Sequence, residues 1–223
     1  QEDKLLALWT GLGYYNRARN LQKGAKQIVA EYQGRLPERY DELLNIKGIG
    51  PYTAAAIASI CFQEKIGVVD GNVYRVLSRY FGINTPTNST LGQREFQTLA
   101  NECIQGTKHP GMYNQGIMEF GALHCTPKNP NCMYCPLNNS CYAFNSGAVS
   151  ELPVKLKKGK RTKETLHFGI VQNKNKVALR KRGTNSIWAG LYEFPQLDEI
   201  PKNGQLLAEP MLHKLSHKDL YCS

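Results

Sequence analysis

Four of the chain's seven cysteines, Cys125, Cys132, Cys135 and Cys141, are spaced C-x6-C-x2-C-x5-C. Thiolates this close in sequence can enclose a metal centre. Zinc sites of this kind usually present two C-x2-C pairs. Here there is one pair and two single cysteines, and the wider, uneven spacing favours a [4Fe–4S] cluster, with zinc as the alternative. A disulfide framework is not expected, because Gln1-Glu2-Asp3-Lys4 does not read as a secretory signal. Lys128, inside the first cysteine loop, offers a cation that can meet phosphate. Cys61 and Cys103 fall on apolar helix faces and are expected as core thiols.

A second group lies upstream. Leu44-Asn-Ile-Lys-Gly-Ile-Gly-Pro-Tyr-Thr53 places Gly48 and Gly50 between two helices, beside Lys47. Glycine lets backbone approach a phosphate closely and turn its N–H groups outward. The helix starting at Pro51 adds the positive end of its dipole, and Ile46 is expected in the core beneath. Farther on, Val68-Val69-Asp70-Gly71-Asn72-Val73 sets an aspartate just before another helix. Locally, Asp70 or Asn72 reads as a helix cap. A carboxylate poised for chemistry is the second reading.

The elements that position these groups are helical as far as residue 124. Leu21, Ala25, Ile28, Val29 and Tyr32 recur with a helical period, and Gly34 can end that helix. Pro37 suits the start of the next, with Tyr40, Leu43 and Leu44 facing inward. Pro51 to Phe62 and Asn72 to Phe81 read as helices. Further stripes run through Phe96, Leu99, Ala100 and Cys103, and through Tyr113, Ile117, Phe120 and Ala122. A basic stretch, Lys155 to Lys163, reads as a solvated linker. Beyond it Thr165 to Val171, Lys176 to Arg180, Leu191 to Phe194 and Leu212 to Tyr221 read as strands, the first two joined through Asn173-Lys174-Asn175. The fold class is mainly α, followed by a partial α+β domain. The expected division is a helical region over 1–144, a linker over 145–163 and a second domain over 164–223.

The 223 residues are 41% hydrophobic and 21% charged, which reads as globular and not disordered. Tyr52 to Phe62, the longest uncharged and largely apolar run, is far short of the ~20 residues of a bilayer span. The formal charge of +10 suggests a polyanionic partner, nucleic acid first.

Together the hairpin L-x-x-I-K-G-I-G, the later V-D-G-N-V and the four-cysteine loop resemble the helix–hairpin–helix DNA glycosylase superfamily. Within it, Leu8-Trp-Thr-Gly-Leu-Gly-Tyr-Tyr-Asn-Arg-Ala-Arg-Asn20, Val69-Asp-Gly-Asn-Val73, Tyr113-Asn-Gln115 and Trp188-Ala-Gly-Leu-Tyr-Glu-Phe-Pro195 resemble the adenine glycosylases of the MutY type. The resemblance covers essentially the whole chain. It implies base excision repair: hydrolysis of the N-glycosidic bond of an adenine mispaired with 8-oxoguanine or guanine, after the base is flipped out of the duplex. It further implies that Asp70 stabilises the oxocarbenium-like sugar, oriented by Asn72. Tyr52 stands where related lyases carry a nucleophilic lysine, so the activity is expected to be monofunctional. Tyr14 matches a duplex-wedging aromatic, and Gln115 a reader of the adenine edge. The resemblance implies that Lys47, Gly48 and Gly50 contact DNA, as does Gly190 of the second domain. That domain resembles a Nudix fold without the Nudix hydrolase box, since Gln196 stands where a Glu is expected. In it Leu215-Ser216-His217 matches a loop that contacts 8-oxoguanine, with leucine in place of phenylalanine. The resemblance also implies a [4Fe–4S] cluster on the four cysteines and a DNA-bound, intracellular monomer, cytoplasmic or in the nucleoid.

The chain also reads as a piece of a longer protein. The glutamate that acts as general acid in this family belongs to a helix preceding Gln1, and neither Glu2 nor Glu31 lies in matching sequence. The expectation is DNA binding with slow excision or none. Two other readings are an endonuclease III-like lyase, against which Tyr52 argues, and a non-catalytic, cluster-containing DNA-binding module.

Overall fold

This computed structural model describes every residue except 158, 160, 184–186, 200–206, 208 and 216–217. The helices are α1 (Glu2–Leu8), α2 (Asn16–Glu31), α3 (Tyr40–Leu43), α4 (Pro51–Phe62), α5 (Gly71–Phe81), α6 (Thr90–Ile104), α7 (Pro110–Leu123) and α8 (Tyr142–Asn145). The strands are β1 (Thr162–Phe168), β2 (Gln172–Asn173), β3 (Lys176–Val177), β4 (Arg180–Lys181), β5 (Tyr192–Glu193), β6 (Gln196–Leu197), β7 (Met211–Lys214) and β8 (Lys218–Cys222). The chain forms two compact units, one of Arg19–Lys157 and one joining Gln1–Ala18 to Lys158–Ser223. Among the described residues no helix is long and apolar enough to cross a membrane.

In the helical unit, α4 runs over the span expected of it. Pro51 occupies its first position, where the missing N–H costs nothing. Left-handed Gln63 ends it at φ 56°. Its buried face is small, Ala54, Ala55, Ala58 and Ser59, which lets neighbours approach closely. Ala54 and Ala58 join Leu43 and Ile46 in one core cluster, with Ile28 and Tyr32 packed on it. Val73 and Leu77 of α5 join Phe96 and Ala100 of α6 in a second. Helix α7 packs against both α4 and α5, and two glycines set those approaches. A Cβ on Gly111 would stand 2.8 Å from Ile60 Cα, and one on Gly121 2.8 Å from Asn72 Cβ.

Three expectations need correction here. The inward face of α2 is not the full apolar stripe: Leu21, Ala25 and Val29 are exposed, while Gly24 is buried. A Cβ on Gly24 would sit 2.7 Å from the Lys47 carbonyl oxygen, so the helix lies against the loop through a residue that apolar periodicity overlooks. Cys61 is exposed and not a core thiol, whereas Cys103 packs on the second cluster. The start of the expected linker lies on the helical unit. The Thr87 amide donates to the Val154 carbonyl at 3.0 Å, and Asn88 bonds the Leu156 amide (2.7 Å) and carbonyl (3.1 Å).

In the other unit the main sheet has the order β6-β1-β8-β7. The β1–β8 pair is parallel, Thr162 facing Lys218, and the outer pairs are antiparallel. The expected strand over Leu212 to Tyr221 is two antiparallel strands, β7 and β8. The Leu215 amide donates to the Lys218 carbonyl at 2.8 Å at their junction. Lys176 to Arg180 likewise divides: β3 pairs with β2 across left-handed Lys174, and β4 pairs with β5. Buried Arg182 and Glu193 form an ion pair beneath that last pair.

Candidate functional site

Asp70 caps α5 from an extended backbone conformation. Its Oδ1 accepts from the Asn72 and Val73 amides, both at 2.8 Å, two of the first-turn N–H groups that a helix leaves unpartnered. Its Oδ2 accepts from the Asn72 side-chain amide at 3.0 Å. A carboxylate has about four acceptor positions, so Oδ2 keeps one for an incoming group. At the next residue, Gly71, an added Cβ would meet nothing within 4 Å. The cap expected of Asp70 is present.

Asn72 is held in turn by Arg75, whose Nη2 donates to Asn72 Oδ1 at 2.9 Å. The same guanidinium donates to the carbonyls of Gly121 at 2.5 Å and Cys125 at 2.6 Å. Burial lowers the Arg75 pKa, and the neighbouring Cys125 and Asp70 oppose that shift. The segment leading into Asp70 is pegged by α6 and α7. Buried Asn114 accepts from the Val68 amide (3.0 Å) and donates to the Ile66 carbonyl and Ser59 Oγ, both at 2.9 Å. The Gly67 amide and carbonyl are taken by Asn101 and Gln97. Arg75, Asn114, Asn101 and Gln97 were not read from the sequence. The i, i+4 pair Arg75 and Arg79 on an otherwise apolar helix face was the available signal.

The turn before α4 is exposed at Lys47, Gly48 and Gly50. Gln27 clamps it to α2, accepting from the Lys47 amide at 2.9 Å and donating to the Asn45 carbonyl at 3.0 Å. Gly48 has φ 89°, and a Cβ there would stand 2.7 Å from Asn20 Cβ. Only glycine fits that position. At Gly50 the space is open. Tyr52, 48% exposed, reaches α7 with its hydroxyl 3.8 Å from Met118 Sδ. Gln115 is exposed on α7 and folds back to the Gly111 carbonyl at 3.2 Å. Nearby Tyr113 is pushed up to about 12, by burial and by Cys103.

The four cysteines border one cavity, with Arg79, Phe120, His124 and Leu137 among its walls. Cys125 follows α7, Cys132 opens a 3-10 turn that Cys135 ends, and Cys141 stands at the N-cap of α8. Arg79 donates to Cys125 Sγ at 3.4 Å and to the Thr126 carbonyl at 2.8 Å. Burial pushes the Cys132 thiol up, followed by the neighbouring Cys125. Arg79 opposes that, and Cys135 and Cys141 add to it. Among the described residues no group of three or more His, Cys, Asp or Glu side chains is arranged to hold a metal ion.

Tyr14 and Gly190 belong to the other unit. Tyr14 is 78% exposed at φ 49°, a conformation that costs a bulky residue energy. It sits in a loop with Gly11 and Gly13 at positive φ. The Arg17 guanidinium lies 5.9 Å from the Tyr14 ring and 5.5 Å from that of Trp9. Gly190 turns the chain at φ 74°, its amide donating to the Arg182 carbonyl at 3.0 Å. Ser216 lies outside the described residues.

Residues 1–101 match the family model described as "HhH-GPD superfamily base excision DNA repair protein". The chain is 38% identical over 233 aligned positions to an adenine DNA glycosylase of Buchnera aphidicola subsp. Schizaphis graminum, covering 98% of this chain and 67% of that one. It is 46% identical over 137 positions to the human adenine DNA glycosylase, covering 61% of this chain and 25% of the relative. The chain thus spans between a quarter and two thirds of these relatives' lengths. Among solved structures, a thermostable thymine-DNA glycosylase superposes with a TM-score of 0.59 at 28% identity, over 66% of this chain and 67% of that one.

Proposed function

The chain belongs to the HhH-GPD superfamily of base excision DNA repair proteins, among the adenine DNA glycosylases, and from that membership we propose that it acts on adenine mispaired with 8-oxoguanine or guanine in double-stranded DNA. The observation that carries the reading is Asp70. Its carboxylate is fixed by two backbone amides and the Asn72 side-chain amide and keeps a free acceptor position. Held there, it stabilises the cationic sugar as the glycosidic bond lengthens, at no reorganisation cost during reaction. Asn72 keeps Oδ2 aimed. Protonation of the departing adenine is a separate requirement that we assign to no residue of 1–223.

Lys47 and the exposed backbone of Gly48 and Gly50 hold a phosphate near the start of α4. Gln115 reads the flipped adenine, and Tyr14 fills the stack it leaves. Tyr52 has no amine, so no Schiff base forms at the sugar and the reaction stops at hydrolysis. The sheet unit serves lesion recognition through Ser216 and the Gly190 turn.

Cys125, Cys132, Cys135 and Cys141 would hold a [4Fe–4S] cluster. The four thiols border one cavity, where four thiolates can bind a cationic centre. The C-x6-C-x2-C-x5-C spacing, with one C-x2-C pair and two single cysteines, favours the cluster over zinc. The bound cluster supplies a rigid cross-link of the 125–141 loop and a redox-capable centre.

The test is base release with the chain in excess over duplex. Adenine freed slowly from A:8-oxoguanine, more slowly from A:T and not at all by Asp70→Asn supports the proposal. Equal release from both duplexes, or a borohydride-trapped DNA adduct, contradicts it.

A further inference from the structure

His124 is a polar group at the cysteine cavity for which the glycosylase reading has no use. It directly precedes Cys125 at the end of α7, and its ring stacks on Phe120 at 5.2 Å and 18°. It borders the cavity that the four cysteines share. Its Nε2 is buried and has no hydrogen-bond partner among the described residues. A buried polar nitrogen in that position is unfavourable unless something accepts from it or donates to it. A bridging water needs two to four polar partners, and although Arg79, Tyr80 and Asn138 also border the cavity, the wall surface it exposes is apolar. The acceptors that a filled cavity brings are sulfur atoms. Arg79 already behaves this way in the chain as it stands, donating to Cys125 Sγ at 3.4 Å.

We propose that His124 is a hydrogen-bond donor to the iron–sulfur cluster, its Nε2–H directed at a cluster or cysteine sulfur and its ring plane fixed by Phe120. The inference rests on the cluster reading above and extends it to an outer residue. Donors to cluster sulfur draw electron density from the iron and favour the more reduced state. His124 and Arg79 then act in the same direction.

The test uses the full 223-residue chain reconstituted anaerobically with iron and sulfide. Iron and acid-labile sulfide content come first, and a chain that takes up none overturns the cluster reading itself. In the loaded chain, selective 15N-histidine labelling is read by hyperfine spectroscopy after one-electron oxidation or reduction. The expected result is a coupled histidine nitrogen that His124→Gln removes. The expected potential of His124→Phe, which keeps the stack and loses the donor, is more negative than that of the unsubstituted chain. His124→Gln, which keeps a donor, lies nearer the original value. A loaded chain with no coupled nitrogen overturns the inference while leaving the cluster reading intact, and unchanged potentials in both variants do the same. Should His124→Phe fail to load, the labelled chain and His124→Gln decide alone.

Discussion

Arg75 donates from Nε to the Cys125 carbonyl at 2.6 Å and from Nη2 to Asn72 Oδ1 at 2.9 Å. One buried side chain, 8% exposed, therefore joins the residue that aims Asp70 to the first residue of the four-cysteine set. The cysteine loop and the carboxylate are two ends of one hydrogen-bonded structure, and α5 is its backbone. Replacing Arg75 with Met strands the carbonyls of Gly121 and Cys125 and releases Asn72. The expected loss is about 2–4 kcal/mol of stability, seen in chemical denaturation. Cluster retention should fall in the same variant.

Asp70 separates its two roles by substitution. Asparagine still caps a helix, so Asp70→Asn should change stability by less than about 1 kcal/mol. It cannot offset positive charge, so base release should fall roughly 10²–10³-fold or more. Asp70→Ala loses both, costing about 1 kcal/mol more in thermal melts. Equal release by the original chain and Asp70→Asn would leave Asp70 with the cap alone.

Tyr52→Lys should gain what the tyrosine lacks. The site is half exposed and tolerates a long amine. The expected outcome is a borohydride-trapped adduct with abasic DNA, absent from the unsubstituted chain. No adduct in Tyr52→Lys would place the Tyr52 position away from the sugar.

The two hairpin glycines should behave differently. Gly48→Ala forces a Cβ against Asn20 at a positive φ, costing about 1–3 kcal/mol and weakening DNA binding. Gly50→Ala meets open space, so stability should shift by less than about 0.5 kcal/mol. Any loss of affinity in Gly50→Ala then reports crowding at the phosphate. Thermal melts and fluorescence anisotropy measure the two quantities.

The sequence made some of these features legible and hid others for physical reasons. Helix α4 was legible because Gly50-Pro51 marks a start that few other structures tolerate. Asp70 was legible as a cap because the orphan amides of a first turn need an acceptor. The face of α2 was hidden because Gly24 contributes no apolar signal, yet its missing Cβ admits the Lys47 carbonyl. The division into β7 and β8 was hidden because Leu212 to Tyr221 contains no glycine or proline. Asn114 was hidden because its backbone partners at Ile66 and Val68 lie tens of residues away, and Arg75 left only the pairing with Arg79 on an apolar face as a local trace.

The central claim is selectivity for adenine in the wrong pair, and equilibrium binding tests it most directly. The measurement compares the chain's affinity for otherwise identical duplexes holding A:8-oxoguanine, A:G and A:T at fixed, moderate salt. The account predicts tightest binding to A:8-oxoguanine, then A:G, with A:T weaker by roughly tenfold or more, about 1.4 kcal/mol. Equal affinity for all three would contradict it.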